Sequence, residues 1–153
     1  MPRQSARAVA LTVVALVAMG TSSCSGGKRF YPVRGHVTIN GKPAEGVSIV
    51  FYLVDDTDKR PIQPSAIVQA DGSFELKSFV LDDRTLKDGA PAGQYQVSCV
   101  WYPPDLQKYV NAMLPLPDRL NGKYSDPKTS GLKAEVREQP TELPPFELTG
   151  PTK

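Results

Sequence analysis

The chain is predicted to fold as an all-β, antiparallel β-sandwich of about seven strands, on three observations. Several stretches alternate apolar and polar residues with period two, as half-buried strands do. Asn-Gly and Asp-Gly pairs separate them, the usual mark of tight turns between strands. No strand-helix alternation of the α/β kind occurs, and 15 prolines and 12 glycines in 153 residues leave no room for a long uninterrupted helix.

The first strand begins at Val33. Val33, Gly35, Val37 and Ile39 fall on one face, with Arg34, His36 and Thr38 opposite. Asn40-Gly41 then turns the chain into a second strand carrying Val47, Ile49, Phe51 and Leu53 inward, and the two strands are expected to pair as a hairpin. Asp55 to Pro64 is a polar loop. Asp71-Gly72 joins Ala66–Ala70 to Ser73–Ser78 as a second hairpin, with Phe74 and Leu76 inward, and Asp82–Gly89 reads as a charged turn.

Gln94–Tyr102 alternates most cleanly. Tyr95, Val97, Cys99 and Trp101 share its core face. Leu106, Tyr109, Val110 and Met113 follow at helical spacing, with Asp105 placed to cap, predicting a short helix over one end of the sandwich that Pro115 stops. After the loop Asp118–Gly131, Leu132–Arg137 and Phe146–Thr149 complete the strands. Pro144 and Pro145 assign the last to a sheet edge. The core expected between the sheets is Val37, Ile39, Val47, Ile49, Phe51, Phe74, Leu76, Val97, Cys99 and Trp101.

Residues 1–23 read as an export signal. Arg3 and Arg7 form a positive start, and Ala8–Met19 is a charge-free, mostly apolar run, too short for a permanent span of about 20 residues. Gly20, Thr21, Ser22 and Ser23 then lead to Cys24. This layout resembles the lipobox of bacterial lipoproteins, in which small residues precede a cysteine that is acylated and becomes the mature N-terminus. The resemblance implies lipidation, including palmitate, at Cys24 and a protein held by lipid on the periplasmic side of a membrane or at the outer membrane. Ser25, rather than Asp, after the cysteine is compatible with outer-membrane sorting. The family prefers Leu where this chain has Thr21; cleavage without lipidation, releasing a soluble secreted protein, is the alternative.

Residues 24–31 form a tether before a single domain at 32–149. Its polar part, Ser25–Arg29, spans at most about 18 Å. Loss of the signal removes two cations and no anion, which brings 18 basic residues level with 16 acidic ones. A formally neutral protein gives no electrostatic reason to bind nucleic acid. About 130 residues suffice to bury one core without staples.

VRGHVTINGKPAEGVSIVFY, DGSFEL and GAPAGQYQVSCVWY together resemble the carboxypeptidase regulatory-like domain, a transthyretin-like sandwich. The likeness covers Val33 to Tyr102 and, more weakly, Lys123 to Leu148, and it is nearest to short bacterial lipoproteins carrying one such domain. It implies a fold and a non-catalytic role, because the module accompanies metallocarboxypeptidase domains whose zinc site needs His-x-x-Glu and a second His. Here His36 is followed by Val37, Thr38 and Ile39, and it is the only histidine. Transthyretin-like hydroxyisourate hydrolases need several histidines and a Tyr-Arg-Gly-Ser-type tail; intradiol dioxygenases need two Tyr and two His.

The remaining candidates have plain structural readings. His36 has no local nucleophile or orienting partner and reads as a surface strand residue. Asp55, Asp56 and Asp58 carry oxygens suited to calcium but lack an EF-hand loop's glycine and closing glutamate, so a solvated loop is favoured; Asp82 and Asp83 are able to join them in space. Cys99 reads as a buried, inert thiol; without lipidation a Cys24–Cys99 disulfide is conceivable but not predicted. Tyr102, Tyr109 and Tyr124 are packing residues or stacking surfaces. No cofactor or metal is expected. The expected function is a non-enzymatic, lipid-anchored module of the cell envelope, touching a protein or polysaccharide through loops Asp55–Pro64 and Asp118–Gly131. A carbohydrate or peptide binder is the alternative, followed by an enzyme whose site is scattered along the chain.

Overall fold

A computed structural model describes residues 27–151. These residues form two facing sheets, with strands as 41% and helix as 5% of the structure. The all-β sandwich is therefore the fold. The export signal and Cys24 lie outside the described residues.

One sheet is built around β1 (Val33–Ile39). Arg34 pairs antiparallel with Glu75 of β5 (Ser73–Glu75) and parallel with Glu142 of β10 (Thr141–Glu142). Thr38 pairs with Pro43 of β2 (Lys42–Pro43) and with Glu147 of β11 (Phe146–Leu148). One residue has two hydrogen-bonding sides, so β1 is the central strand, with β5 and β2 on one flank and the 141–148 run on the other. That run lies parallel to β1, broken at Pro144-Pro145, and pairs with nothing else among the described residues. The final strand is thus the edge strand its prolines predict.

The second sheet has the order β7-β6-β4-β3-β8-β9 and is antiparallel throughout. Its centre is β3 (Val47–Leu53) against β8 (Gly93–Trp101), in register from Val47↔Trp101 to Leu53↔Tyr95. Outside them lie β4 (Ser65–Ile67), β6 (Lys77–Val80) and β7 (Thr85–Asp88) on one side and β9 (Leu132–Val136) on the other.

Both expected hairpins need correction. Asn40 and Gly41, at φ 51° and 77°, do make the turn, but it closes only onto β2. The chain then crosses through Ala44–Gly46, and β3 belongs to the facing sheet. Likewise Asp71-Gly72 turns between β4 and β5, which sit in different sheets; the chain returns at Leu76, so Ser73–Ser78 is two strands. The inner face of each sheet is apolar, and alternation alone does not say which sheet a strand joins. Asp82–Gly89 also holds β7, whose partners run from Lys77↔Asp88 to Val80↔Thr85.

Between the sheets, Phe51 meets Tyr95 at 5.8 Å between ring centroids and meets both Phe74 and Phe146 at 6.3 Å. Such tilted and edge-on pairs add to the burial of their area. Val33, Val37, Val47, Ile49, Leu76, Val97 and Leu148 fill the space around them. Trp101, expected in this core, is half-buried at the end of β8.

The register fixes two ends. At the tether end lie the tether itself, the loop after Leu53, the Leu81–Arg84 turn and Gly93. At the far end lie Asn40-Gly41, Trp101 and the helix α1 (Leu106–Asn111). No helix of the described residues is long and apolar enough to cross a membrane.

Candidate functional site

The tether end carries the largest concentration of interacting charge. Lys28 is paired with Asp58, whose backbone N–H is held by the Asp56 carboxylate at 2.9 Å. Arg60 Nη1 donates to Asp82 Oδ1 at 2.8 Å, and Lys87 Nζ lies 3.6 Å from Asp83 Oδ2. Thr85 donates its hydroxyl and N–H to Asp83, and these bonds hold that carboxyl below its ordinary range. Asp58, Asp82 and Asp83 line one cleft; Arg60 joins Asp82 to the Asp55–Pro64 loop, whereas Asp83 is held by Lys87 and Thr85 of its own hairpin. Among the described residues no group of three or more His, Cys, Asp or Glu side chains is arranged to hold a metal. Lys28, Phe30, Ile62, Val80 and Leu81 line an open cleft of about 850 Å³ there.

The tether is fastened beside this cleft. Tyr31 N–H donates to Ala90 O at 2.9 Å and Ala90 N–H returns to Tyr31 O at 3.0 Å. Gly89 allows the approach: at φ +87° a Cβ there would stand 1.8 Å from Tyr31 O.

The two groups best suited to catalysis are placed otherwise. His36 is exposed on β1, opposite Ser73 of β5. Cys99 is fully buried opposite Ile49; burial, followed by the Asp118 charge, pushes its thiol up to about 12, so it is neither a ready nucleophile nor a ready partner for an external disulfide.

At the far end the residue that organises the surface is Asp118. One carboxylate oxygen accepts the backbone N–H groups of Trp101 and Leu120, and the other accepts that of Gly122, all at 2.9 Å. The 118–131 loop continues along β8, where Tyr124 O accepts the Cys99 N–H at 2.8 Å and Ser130 Oγ donates to Val97 O at 2.6 Å. It thus closes the β8 edge that β9 leaves open beyond Val97. The Asp-Arg-Leu-Asn-Gly string at 118–122 carried the signal: an acidic side chain just ahead of a turn, poised to accept from it. Arg119 stacks its guanidinium 3.5 Å from the centroid of the Trp101 ring, and Trp101 Nε1 donates to Glu45 O at 3.1 Å.

The helix forms where expected but buries no residue, and Asp105 makes no side-chain cap. Of its stripe, Leu106 and Tyr109 are half-buried while Val110 and Met113 are exposed, Met113 at 93%, and Leu114 and Leu116 after it are exposed as well. Of the three tyrosines, Tyr124 is buried, with its hydroxyl accepting the Thr149 N–H at 3.0 Å, whereas Tyr102 and Tyr109 are half-buried. A shallow groove of about 580 Å³ lies between β9 and the 141–147 run, flanked by Pro140, Pro144 and Pro145.

No protein-family model, curated protein or solved structure matches the chain.

Proposed function

We propose that the protein is a non-enzymatic, lipid-anchored component of a bacterial cell envelope, carrying one β-sandwich module of the carboxypeptidase regulatory-like type. The observation that carries the reading is the Tyr31–Ala90 bridge, which fastens the sandwich seven residues after Cys24. A diacylated Cys24 buries about 30 methylenes at about 0.8 kcal/mol each, an effectively permanent anchor. The placement of His36 on an open strand face and of Cys99 inside the core supports a role by contact rather than by chemistry.

The exposed apolar side chains between Val110 and Leu116, at the end away from the tether, favour a protein partner in the envelope over a polysaccharide. Mass spectrometry of the mature protein tests the anchor: a diacylated N-terminal Cys24 is expected, and an unmodified N-terminus rejects it. Turnover of a small molecule by the purified protein, abolished by His36→Ala, would overturn the non-enzymatic reading.

A further inference from the structure

We propose that the β6–β7 hairpin is the surface this protein lays on the lipid bilayer, with Phe79, Leu81 and Leu86 as its apolar contacts. The inference rests on the reading that Cys24 is acylated, and it adds which face of the sandwich meets the membrane.

The tether limits the geometry. Four residue steps separate Cys24 from Lys28, and a fully extended chain of that length reaches about 14 Å. Lys28 is paired with Asp58, and the loop that carries Asp58 is joined to the hairpin tip by Arg60 and Asp82. Lys28 and Leu81 line the same cleft. An acyl group on Cys24 therefore enters the bilayer next to the hairpin tip. β8 runs away from this end, and that carries Trp101 and the helix to the opposite one.

The hairpin has the chemistry of an interfacial contact. Phe79 and Leu86 are directly opposite each other in register and project from the same outer face. They are 51% and 61% exposed, and Leu81 at the turn is 57% exposed. Alternate residues Ser78 and Val80 point the other way and are buried or half-buried. Charges nearby are internally matched, Lys77 with Asp88 and Lys87 with Asp83. The surface thus carries little net field, and its attraction for the interface comes from the apolar side chains, with Arg84, exposed at the tip, adding a cation. A second copy pairing along the β7 edge is the competing occupant; the short leash favours the bilayer.

The test uses the full mature lipoprotein, reconstituted into phosphatidylethanolamine/phosphatidylglycerol vesicles that contain brominated acyl chains. A bimane label is attached to Leu81→Cys, to Leu86→Cys or, at the far end, to Met113→Cys; native Cys99 is buried and does not compete. The expected result is loss of emission from labels at 81 and 86 and none at 113. Unquenched labels at 81 and 86 in a protein whose acylated Cys24 is confirmed by mass spectrometry overturn this inference and leave the anchor standing. An unacylated Cys24 overturns the anchor, and the inference with it. Unquenched labels together with a dimer that Phe79→Asp dissociates assign the patch to a second copy, which also overturns the proposal.

Discussion

Phe74 lies across Gly35, its partner in the β1–β5 register, so closely that a Cβ at position 35 would stand 2.7 Å from the ring's Cζ. The ring cannot swing away, because Phe51 and Phe146 pack against it. Gly35→Ala should therefore cost about 1–3 kcal/mol, the usual range for overpacking a close-packed core. Urea unfolding checks it: the midpoint should fall with the slope unchanged. A midpoint equal to that of the parent protein would mean the sheet relaxes freely around position 35.

Phe51 and Trp101 should separate in the same assay. Phe51→Ala empties the centre of the aromatic cluster and should cost about 3–5 kcal/mol. Trp101→Ala removes a half-buried ring, its hydrogen bond to Glu45 O and the Arg119 stack, and should cost about 2 kcal/mol. Equal losses would show that the end of β8 is as tightly packed as its middle.

Asp118→Ala should cost about 2–3 kcal/mol, because three backbone N–H groups lose a charged acceptor together. Hydrogen exchange gives a sharper reading than the midpoint. The amides of Trp101, Leu120 and Gly122 should lose protection while those of Ile49 and Val97 keep theirs. Unchanged exchange at 120 and 122 would show that the loop holds its shape without the carboxylate.

Cys99 should resist thiol reagents in the native protein at pH 8 and react once urea unfolds it. Its folded-state pKa is raised above the unfolded one, so the associated stability is complete below about pH 9 and is lost as pH rises toward about 12. Cys99→Ala should flatten that alkaline decline. Rapid labelling of the folded protein, or an alkaline decline unaltered by the substitution, would contradict the burial.

Acid should act through the turns. The Ser73 bonds to Asp71, the Thr85 bonds to Asp83 and the Lys77 bond to Asp88 each hold a carboxyl below its ordinary range. Lowered folded-state values mean stability that is present at neutral pH and is lost as pH falls below about 4. The urea midpoint should hold from pH 7 to pH 5 and then drop. A midpoint unchanged down to pH 3 would count against these contacts surviving in solution.

Which residues face the core was legible from the sequence by itself. Val33, Val37, Ile39, Val47, Ile49, Phe51, Tyr95, Val97 and Cys99 recur at every second position among mostly polar neighbours, Val50 and Val100 being the exceptions, and successive strand side chains point to opposite faces. The Asn40-Gly41 and Asp71-Gly72 turns, the helix start and the edge position of the last strand were equally local, since each is set by one or two residues and their own backbone preferences. The candidate site was much less legible. The Lys28–Asp58 and Arg60–Asp82 pairs join residues 30 and 22 positions apart, and no spacing rule links such positions.

Tertiary structure alone decided how the strands were shared between the two sheets. Period two tells a strand which face is apolar, but a sandwich offers the same apolar interior from either sheet, so crossings at Ala44–Gly46, at Gln69–Gly72 and at Leu76 leave no mark in the alternation. It also decided that Trp101 ends up at the rim, because β3 starts at Val47 and offers nothing beyond it for the ring to meet but the carbonyl of Glu45. The helix has the same cause: its apolar spacing specifies a face, but how far that face is covered depends on its neighbours, and here Leu106 and Tyr109 are half-buried while Val110 and Met113 stay exposed.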